Sequence, residues 1–263
     1  MNNVNKTLYI PLYAKAYVTK RSLFICDRMA EEIWERESFP LRGKSRSKWL
    51  AYYLGIRAAV YDGWIKERLQ DEPSSAVIHI GCGLDGRVKR TDHAGAMWYD
   101  VDFPQVIEER RRYYTEGDGY AMIGADVRSD GWCDNISADS AIVIMEGVSM
   151  YMSEEELGGL FSILEKKFSR VSLLMDAYSS LAARLSKRRN PVSEVGVSEV
   201  WGLDEPKSVE RGGLKFLRER EMTPERYINE LSGLERAIFK RLYAGDFSKK
   251  LYRMYEYKKG GCL

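Results

Sequence analysis

The sequence predicts an α/β fold in which helices cover both faces of a mostly parallel sheet. Two observations lead to this prediction. Short apolar segments alternate along the middle of the chain with segments whose apolar residues recur at helical spacing, which is the order of a parallel sheet. The first of the apolar segments, Val77–Ile80, is followed by three glycines within six residues, Gly81, Gly83 and Gly86. A strand, a glycine-rich turn and a helix in this order are typical of a site for a nucleotide-like cofactor.

The composition is that of an ordinary globular protein. The 263 residues are 44% hydrophobic and 30% charged, and the formal charge of +2 gives no electrostatic sign of nucleic-acid binding. No apolar run approaches the roughly 18 residues of a membrane span, and the N-terminal sequence lacks a signal pattern. Four separated cysteines indicate reduced thiols and no zinc site. We therefore expect a cytoplasmic protein that binds no nucleic acid, membrane or metal, and its oligomeric state stays open.

The N-terminal part of the chain is expected to be helical. Apolar residues recur at helical spacing over Lys20–Ile33 and, more regularly, over Ser47–Leu69, and a loop rich in Pro, Gly and Ser separates the two. We predict that residues 1–72 form a helical cap on a single domain that spans residues 1–263.

Five strands are predicted for the core, residues 75–177, because each is a short apolar run bounded by turn residues. They cover residues 76–80, 96–102, 120–127, 140–148 and 171–178. A helix beginning with Pro104 follows the second strand, and Ser153 is expected to cap a helix with an acidic first turn.

The C-terminal third departs from this alternation. Residues 178–220 contain several glycines and mixed charges, and we predict that they form a lid insertion. Residues 221–263 are expected to complete a seven-stranded sheet, with a helix after Pro224 and two extended segments, RAIFKRLYAG and LYRMYEYKK. Because only a short connection separates these two segments, we expect them to be antiparallel.

The glycine loop is compatible with more than one cofactor, since it fits the dinucleotide pattern G-x-G-x-x-G. Asp102 lies about twenty residues after Gly81, where a ribose-binding carboxylate is expected, and Asp100 is the alternative on the same strand. Asp85, inside the loop, would repel the pyrophosphate of NAD, whereas a cofactor with a sulfonium and an amino group tolerates it. We therefore predict that the cofactor is S-adenosylmethionine.

Four ordered segments of the core resemble a known family. The segments GCGLDGR, WYDVDFPQVIEERR, GADVRSDGW and IMEGVSMYMSEEE are similar to successive motifs of the leucine carboxyl methyltransferase family, which includes bacterial O-methyltransferases of the polyketide type. The resemblance covers about residues 75–165 and extends to IRAAVYD in the N-terminal helices. It implies a class I methyltransferase fold, which is Rossmann-like, and the conversion of S-adenosylmethionine to S-adenosylhomocysteine.

The resemblance assigns roles around the methionine part of the cofactor. Gly81, Gly83 and Asp85 match the loop beneath it. Arg57 matches an arginine that reaches the cofactor's carboxylate from the N-terminal helices, and Lys15 matches the family's N-terminal lysine.

The same resemblance places the rest of the cofactor. Asp102 matches the ribose-binding acid, Asp126 and Val127 match the pair that brackets the adenine ring, and Glu146 matches the acid at the end of the fourth strand. Gly86 is a departure, because the family's loop typically has a threonine there and the chain thus lacks a hydroxyl that could cap the next helix.

The chemistry of the acceptor decides which further residues are needed. A carboxylate is already ionised at neutral pH, whereas a phenol needs a general base. His79, within the first strand, and His93, at the edge opposite the expected site, are poorly placed for that role, which favours a carboxylate acceptor over a hydroxyl. Tyr151 is the candidate catalytic residue near the transfer site, and a packed aromatic ring is its structural alternative.

The predicted insertion contains the candidate substrate-binding residues. Arg184 and Arg188 are four residues apart and share a helix face, and Leu181 and Leu185 are expected on the packed side. We expect the insertion to give the acceptor a cationic contact. The sequence favours an O-methyltransferase for a small-molecule carboxylate or hydroxyl. A methyltransferase for protein C-terminal carboxylates and a non-catalytic, cofactor-binding scaffold protein are the alternatives.

Overall fold

The computed structural model describes residues 4–37, 39, 41, 43–93, 95–189 and 200–260. Its strands are Ala76–Ile80 (β1), Trp98–Asp102 (β2), Tyr120–Gly124 (β3), Ser140–Met145 (β4), Arg170–Tyr178 (β5), Lys215–Arg220 (β6) and Tyr252–Lys259 (β7). Its α-helices are Val4–Lys20 (α1), Arg28–Arg36 (α2), Lys48–Asp71 (α3), Arg87–Arg90 (α4), Pro104–Arg110 (α5), Glu154–Lys167 (α6), Ser180–Arg189 (α7), Glu225–Ile228 (α8), Gly233–Tyr243 (α9) and Asp246–Leu251 (α10).

The seven strands form one sheet in the order β3-β2-β1-β4-β5-β7-β6. The first five in this order are parallel to one another. Strand β7 lies antiparallel between β5 and β6. The predicted α/β class, the mostly parallel seven-stranded sheet and its antiparallel C-terminal strand are therefore confirmed.

Strand β4 shows why the core sequence forms a buried sheet. All six of its residues are buried, and they alternate between two hydrophobic clusters on opposite faces. Val143 packs in the cluster that contains Phe161 of α6. Ile142 and Ile144 pack in the cluster that contains Trp64 of α3. The helix after β4 begins as predicted, with a capping box in which the Ser153 side chain accepts a hydrogen bond from the backbone of Glu156.

The N-terminal helices differ from the prediction in their bounds. The predicted helix over Lys20–Ile33 is wrong: α1 ends at Lys20, and α2 begins only at Arg28. Ser22 and Phe24 between them have positive φ angles of 53° and 60°, which a helix cannot contain. Asp27 then caps α2 by accepting a hydrogen bond of 2.9 Å from the backbone N–H of Ala30. The predicted helix over Ser47–Leu69 is confirmed as α3.

The prediction for the C-terminal part of the chain is also wrong in two respects. RAIFKRLYAG was predicted to be extended, but most of it lies in α9, and Phe239 is wholly buried on that helix. The antiparallel partner of the last strand is instead β6, which lies at the end of the segment predicted to be an insertion. The helix α9 has a sequence explanation, because Ser232 and Glu235 have the spacing of a helix start. Strand β6 was not predicted because its residues are mostly exposed and charged. No helix in the described part of the chain is both long and apolar enough to cross a membrane.

Candidate active site

A cavity of about 760 Å³ lies at the carboxyl ends of the parallel strands, where ligands bind in open α/β sheets. Residues of β1, of the glycine loop and of the segments that follow β2, β3 and β4 line one part of it. Residues of α1 and α3 line another part, and α9, α10 and β7 complete the wall. The site is therefore built from the core together with both ends of the chain.

The structure brings most of the predicted site residues together at this cavity. Its lining includes Lys15, Arg57, Gly81, Gly83, Asp85, Asp102, Asp126, Val127, Glu146 and Tyr151. These residues come from positions far apart in the chain, so their convergence depends on the fold and not on local sequence.

Arg184, one of the two predicted substrate-binding arginines, is not among them. Arg184 is exposed on α7, where its Nε donates a hydrogen bond of 3.2 Å to the backbone oxygen of Ser180, and it does not line the cavity. Leu181 and Leu185 are 44% and 49% exposed, so the expectation that they mark a packed side is wrong. The side chain of Arg188 lies outside the described residues.

The glycine loop needs glycine at two positions for different reasons. Gly81 and Gly83 have φ angles of +67° and +51°, in the left-handed region that favours glycine. A side chain at Gly81 would also collide with Val148, which follows β4. The backbone N–H of Gly83 donates a hydrogen bond of 2.9 Å to Asp102. The loop is thus held tightly against two neighbouring segments.

Gly86, where the family typically has a threonine, makes room for an acid from the N-terminal helices. The backbone N–H of Gly86 donates to Oδ2 of Asp27 at 3.2 Å, and any side chain at Gly86 would collide with that carboxylate. Asp27 therefore ties the glycine loop to the start of α2, and α4 begins without a side-chain cap.

The two acids of β2 have different environments. Asp100 is wholly buried, does not line the cavity and pairs with Arg110. Burial alone would raise its pKa, but Arg110, His79 and Trp98 together outweigh burial and lower the pKa of Asp100 to about 2. Asp102 lines the cavity, and its two oxygens accept backbone hydrogen bonds from Gly83 and Phe103 at 2.9 and 2.8 Å. Burial raises the pKa of Asp102. Of the two acids of β2, Asp102 is therefore the one that a ligand in the cavity can reach.

An extended ion-pair network connects the N-terminal helices to the glycine loop and the strand ends. Its members in the described part of the chain are Lys15, Arg57, Arg87, Arg90, Asp27, Asp62, Asp85, Glu146 and Asp176. Lys15 Nζ lies 3.1 Å from Asp85 and 3.2 Å from Glu146. Arg57 bridges Glu146, at 3.1 Å, and Asp176, at 3.0 Å. Isolated charges would be costly to bury, and this pairing offsets the cost.

The network keeps two of the predicted acids ionised. Burial would raise the pKa of Glu146 and of Asp85, but the neighbouring cations outweigh burial and hold both values well below the usual range. Asp62, on the same helix as Arg57, pairs instead with Arg87 and Arg90. Arg57 keeps one uncommitted donor: its Nε is buried without a hydrogen-bond partner.

Asp126 and Val127 follow β3 and line the cavity. The carboxylate of Asp126 accepts hydrogen bonds from Nε and Nη2 of Arg128, which lower its pKa. Arg128 also pairs with Glu156, at 2.8 Å. Val127 is buried and presents an apolar surface.

Sequence reasoning missed Asp176 and Tyr252, which meet at the site. Asp176 lies near the end of β5, and the hydroxyl of Tyr252, at the start of β7, donates to its Oδ2. Both could have been noticed as polar residues bordering strand ends, as Glu146 was. Tyr151 lines the cavity, and burial raises the pKa of its hydroxyl. His79 lies 3.3 Å from Asp100, and burial lowers its pKa, so it is neutral at pH 7.

The sequence profile of the leucine carboxyl methyltransferase family matches residues 5–165, more than half of the chain. The chain belongs to the leucine carboxyl methyltransferase family. It is similar to the tetracenomycin polyketide synthesis O-methyltransferase TcmP of Streptomyces glaucescens, with 29% identity over 244 residues that cover 90% of each protein. It is also 29% identical over 196 residues to the S-adenosyl-L-methionine-dependent methyltransferase dpfgK of Gibberella zeae, which covers 67% of this chain and 65% of that protein.

Solved structures share the fold at low sequence identity. Magnesium protoporphyrin IX methyltransferase (ChlM) from Synechocystis PCC 6803 with bound SAM matches with a TM-score of 0.52 and 14% identity over 97% of each chain. A DUF574 family protein from Streptomyces avermitilis matches with a TM-score of 0.59 and 9% identity, over 94% of this chain and 97% of the other. The predictions of a class I methyltransferase fold and of an S-adenosylmethionine-dependent O-methyltransferase of this family are confirmed.

Proposed function

We propose that the protein transfers the methyl group of S-adenosylmethionine to a carboxylate or hydroxyl oxygen of a small-molecule acceptor. One observation carries the proposal: a single cavity extends from the glycine loop to a compartment lined by aromatic and aliphatic residues of α3, α9, α10 and β7. Its volume of about 760 Å³ is typical of a small-molecule site. The relative TcmP is named for polyketide synthesis, which agrees with an apolar acceptor of modest size.

The residues present fit the cofactor's polar groups. The buried Nε of Arg57 lacks a partner, as expected for a donor that awaits a carboxylate. Asp102 is accessible from the cavity for the ribose hydroxyls, and Asp126 and Val127 offer an acceptor and an apolar face for adenine. Asp85 lines the cavity beside the loop, where its charge is compensated by Lys15 and Arg90. When bound, the cofactor supplies an electrophilic methyl group on sulfur.

The chain's own contribution is alignment and the exclusion of water. Gly81 and Gly83 let the backbone approach the cofactor closely. Lys15 and Glu146 hold the N-terminal helix against the strand ends, so that the cavity is walled on that side. Tyr151 lines the cavity and is the candidate group beside the acceptor.

The free thiols of Cys82 and Cys133 support a reducing, cytoplasmic location.

The proposal is tested by calorimetric titration of the protein with S-adenosylhomocysteine and with NAD. We expect saturable binding of S-adenosylhomocysteine and none of NAD at the same concentration. Asp102→Asn should weaken binding, whereas Asp118→Asn, an exposed control in a loop, should not. Transfer of labelled methyl to a panel of small aromatic acids and phenols then identifies the acceptor chemistry. Tighter binding of NAD, or no binding of S-adenosylhomocysteine, would refute the proposal.

A further inference from the structure

Two side chains at the end of α5 hold the backbone of the glycine loop. Nη1 of Arg110 donates a hydrogen bond of 2.8 Å to the backbone oxygen of Gly83, and Nη2 donates one of 2.9 Å to that of Asp85. The hydroxyl of Tyr114, which follows α5, donates to the backbone oxygen of Leu84 at 3.1 Å. Three successive carbonyl groups of the loop are therefore fixed by these two side chains.

Neither of these side chains has access to the cavity. Arg110 is wholly buried, Tyr114 is 2% exposed, and neither lines the cavity, whereas Gly83, Leu84 and Asp85 all do. The loop therefore lies between the two side chains and a ligand in the cavity. Any effect of Arg110 or Tyr114 on ligand binding has to pass through the loop.

The buried guanidinium of Arg110 is itself fixed in one orientation. Its Nη2 also donates to Oδ2 of Asp100, which compensates its charge, and its Nε donates to the Tyr120 hydroxyl at 3.1 Å. Its central carbon lies over the Tyr114 ring, 3.9 Å from the ring centroid. A planar fork with several donors can hold a carboxylate and two carbonyl groups at once, whereas an ammonium group cannot reproduce that geometry. Asp100, which no ligand reaches, thus anchors the residue that holds the loop.

The hold on the Gly83 carbonyl sets the direction of a backbone donor. Because a peptide bond is planar and trans, the N–H of Leu84 points away from the Gly83 oxygen and hence away from Arg110. No residue in the described part of the chain accepts a hydrogen bond from this N–H. The N–H of Gly83, by contrast, is taken by Asp102. The loop therefore keeps the Leu84 N–H available as a donor on the side away from Arg110.

The order of the strands brings the cofactor across this loop. Strand β1 lies between β2 and β4 in the sheet, and the loop follows β1. Asp102, the acid assigned to the ribose, ends β2, and Glu146, a partner of Arg57, follows β4. A cofactor that extends from Asp102 to the unpartnered Nε of Arg57 must therefore pass over the loop with its amino-acid part.

We propose that Arg110 is a positioning residue for the cofactor, and that Arg110 and Tyr114 together keep the Leu84 N–H facing the amino-acid part of S-adenosylmethionine. The inference rests on the cofactor binding of the proposed function and adds to it two residues that the cofactor does not touch. A loop that is fixed before the cofactor arrives loses less conformational freedom on binding. Without this support the contact to the amino-acid part weakens, whereas the adenosine part keeps Asp102, which the backbone of Phe103 also holds.

Calorimetric titration with two ligands tests this role. S-adenosylhomocysteine carries the amino-acid part, whereas methylthioadenosine has the same adenosine and sulfur without it. Arg110→Lys keeps a charge opposite Asp100 but loses the fork that reaches two carbonyl groups. We expect it to weaken S-adenosylhomocysteine binding about tenfold, and Tyr114→Phe, which loses one hydrogen bond, about threefold. Both variants should bind methylthioadenosine with wild-type affinity.

Tyr257→Phe is the matched control for Tyr114→Phe. Tyr257 is wholly buried and does not line the cavity, and its hydroxyl also donates to a backbone oxygen, that of Pro206, at 2.9 Å. This variant should lose about as much thermal stability as Tyr114→Phe and bind both ligands like the wild type. Similar losses of stability with different losses of affinity separate positioning of the loop from a general weakening of the fold.

Two results would overturn the inference. One is wild-type affinity for S-adenosylhomocysteine in the folded variants, and the other is an equal weakening of both ligands. Because Arg110 is buried, Arg110→Lys can fail to fold, and Tyr114→Phe then decides alone. A wild-type protein that binds neither ligand would instead refute the proposed function.

Discussion

Replacing Lys15 with methionine tests whether the buried ion pairs hold the N-terminal helix on the core. Lys15 is only 3% exposed, and its ammonium lies within 3.2 Å of both Asp85 and Glu146. Methionine keeps most of the apolar stem but removes the charge, so both buried carboxylates lose a cation. Breaking a buried ion pair costs about 3–5 kcal/mol. We therefore expect the free energy of unfolding at pH 7 to fall by about that amount.

The assay is urea unfolding followed by far-ultraviolet circular dichroism. Lys20→Met is the matched control, because Lys20 lies on the same helix and its pair with Glu35 is about half exposed on both sides. Solvent screens such a pair, so this variant should unfold at nearly the wild-type urea concentration. The reasoning is refuted if the two variants lose equal stability.

The same variant has a predicted pH dependence. The folded-state pKa values of Asp85 and Glu146 are depressed, so the stability they contribute is present above about pH 4 and is lost as the pH falls below it. In Lys15→Met both pKa values rise, and protonation then relieves the uncompensated charge. The stability difference between wild type and variant should therefore narrow on acidification. A difference that stays constant from pH 7 to pH 3 would contradict this.

Four further substitutions test individual features. Asp102→Asn should weaken S-adenosylhomocysteine binding by about 1.5–3 kcal/mol, or roughly 10- to 150-fold by calorimetry, because a charged acceptor is lost. Asp100→Asn should instead lower the free energy of unfolding, since that acid is buried in an ion pair; weakened binding without lost stability would reverse the two roles. Gly83→Val should abolish binding while circular dichroism shows a largely intact fold, and normal affinity would show that the backbone does not approach the ligand. Gly86→Thr should lower the melting temperature because its side chain collides with Asp27, and an unchanged value would exclude that clash.

The sequence predicts the core of the sheet well, because the residue pattern of each strand and loop there agrees with its place in the fold. The short apolar run Ala141–Met145 forms the buried strand that its length predicts, and the positive φ angles of Gly81 and Gly83 favour the glycines that the sequence has there. Strand β6 was missed because an exposed edge strand needs no apolar alternation. The contact between Asp176 and Tyr252 could not be predicted for another reason: only the antiparallel pairing of β5 with β7 brings the two residues together. Partners that meet through long-range pairing carry no local signal.

The ion-pair network joins residues of the N-terminal helices to residues of the core, which limits how chimeras of this protein can be made. Lys15, Asp27 and Arg57 come from the N-terminal helices, whereas Arg90 and Glu146 come from the core, and each charge is compensated by one from the other part. The two parts are therefore not interchangeable modules. A chimera that joins this core to the helices of a distant relative would carry mismatched charges into a buried interface, unless both halves of each ion pair are exchanged together.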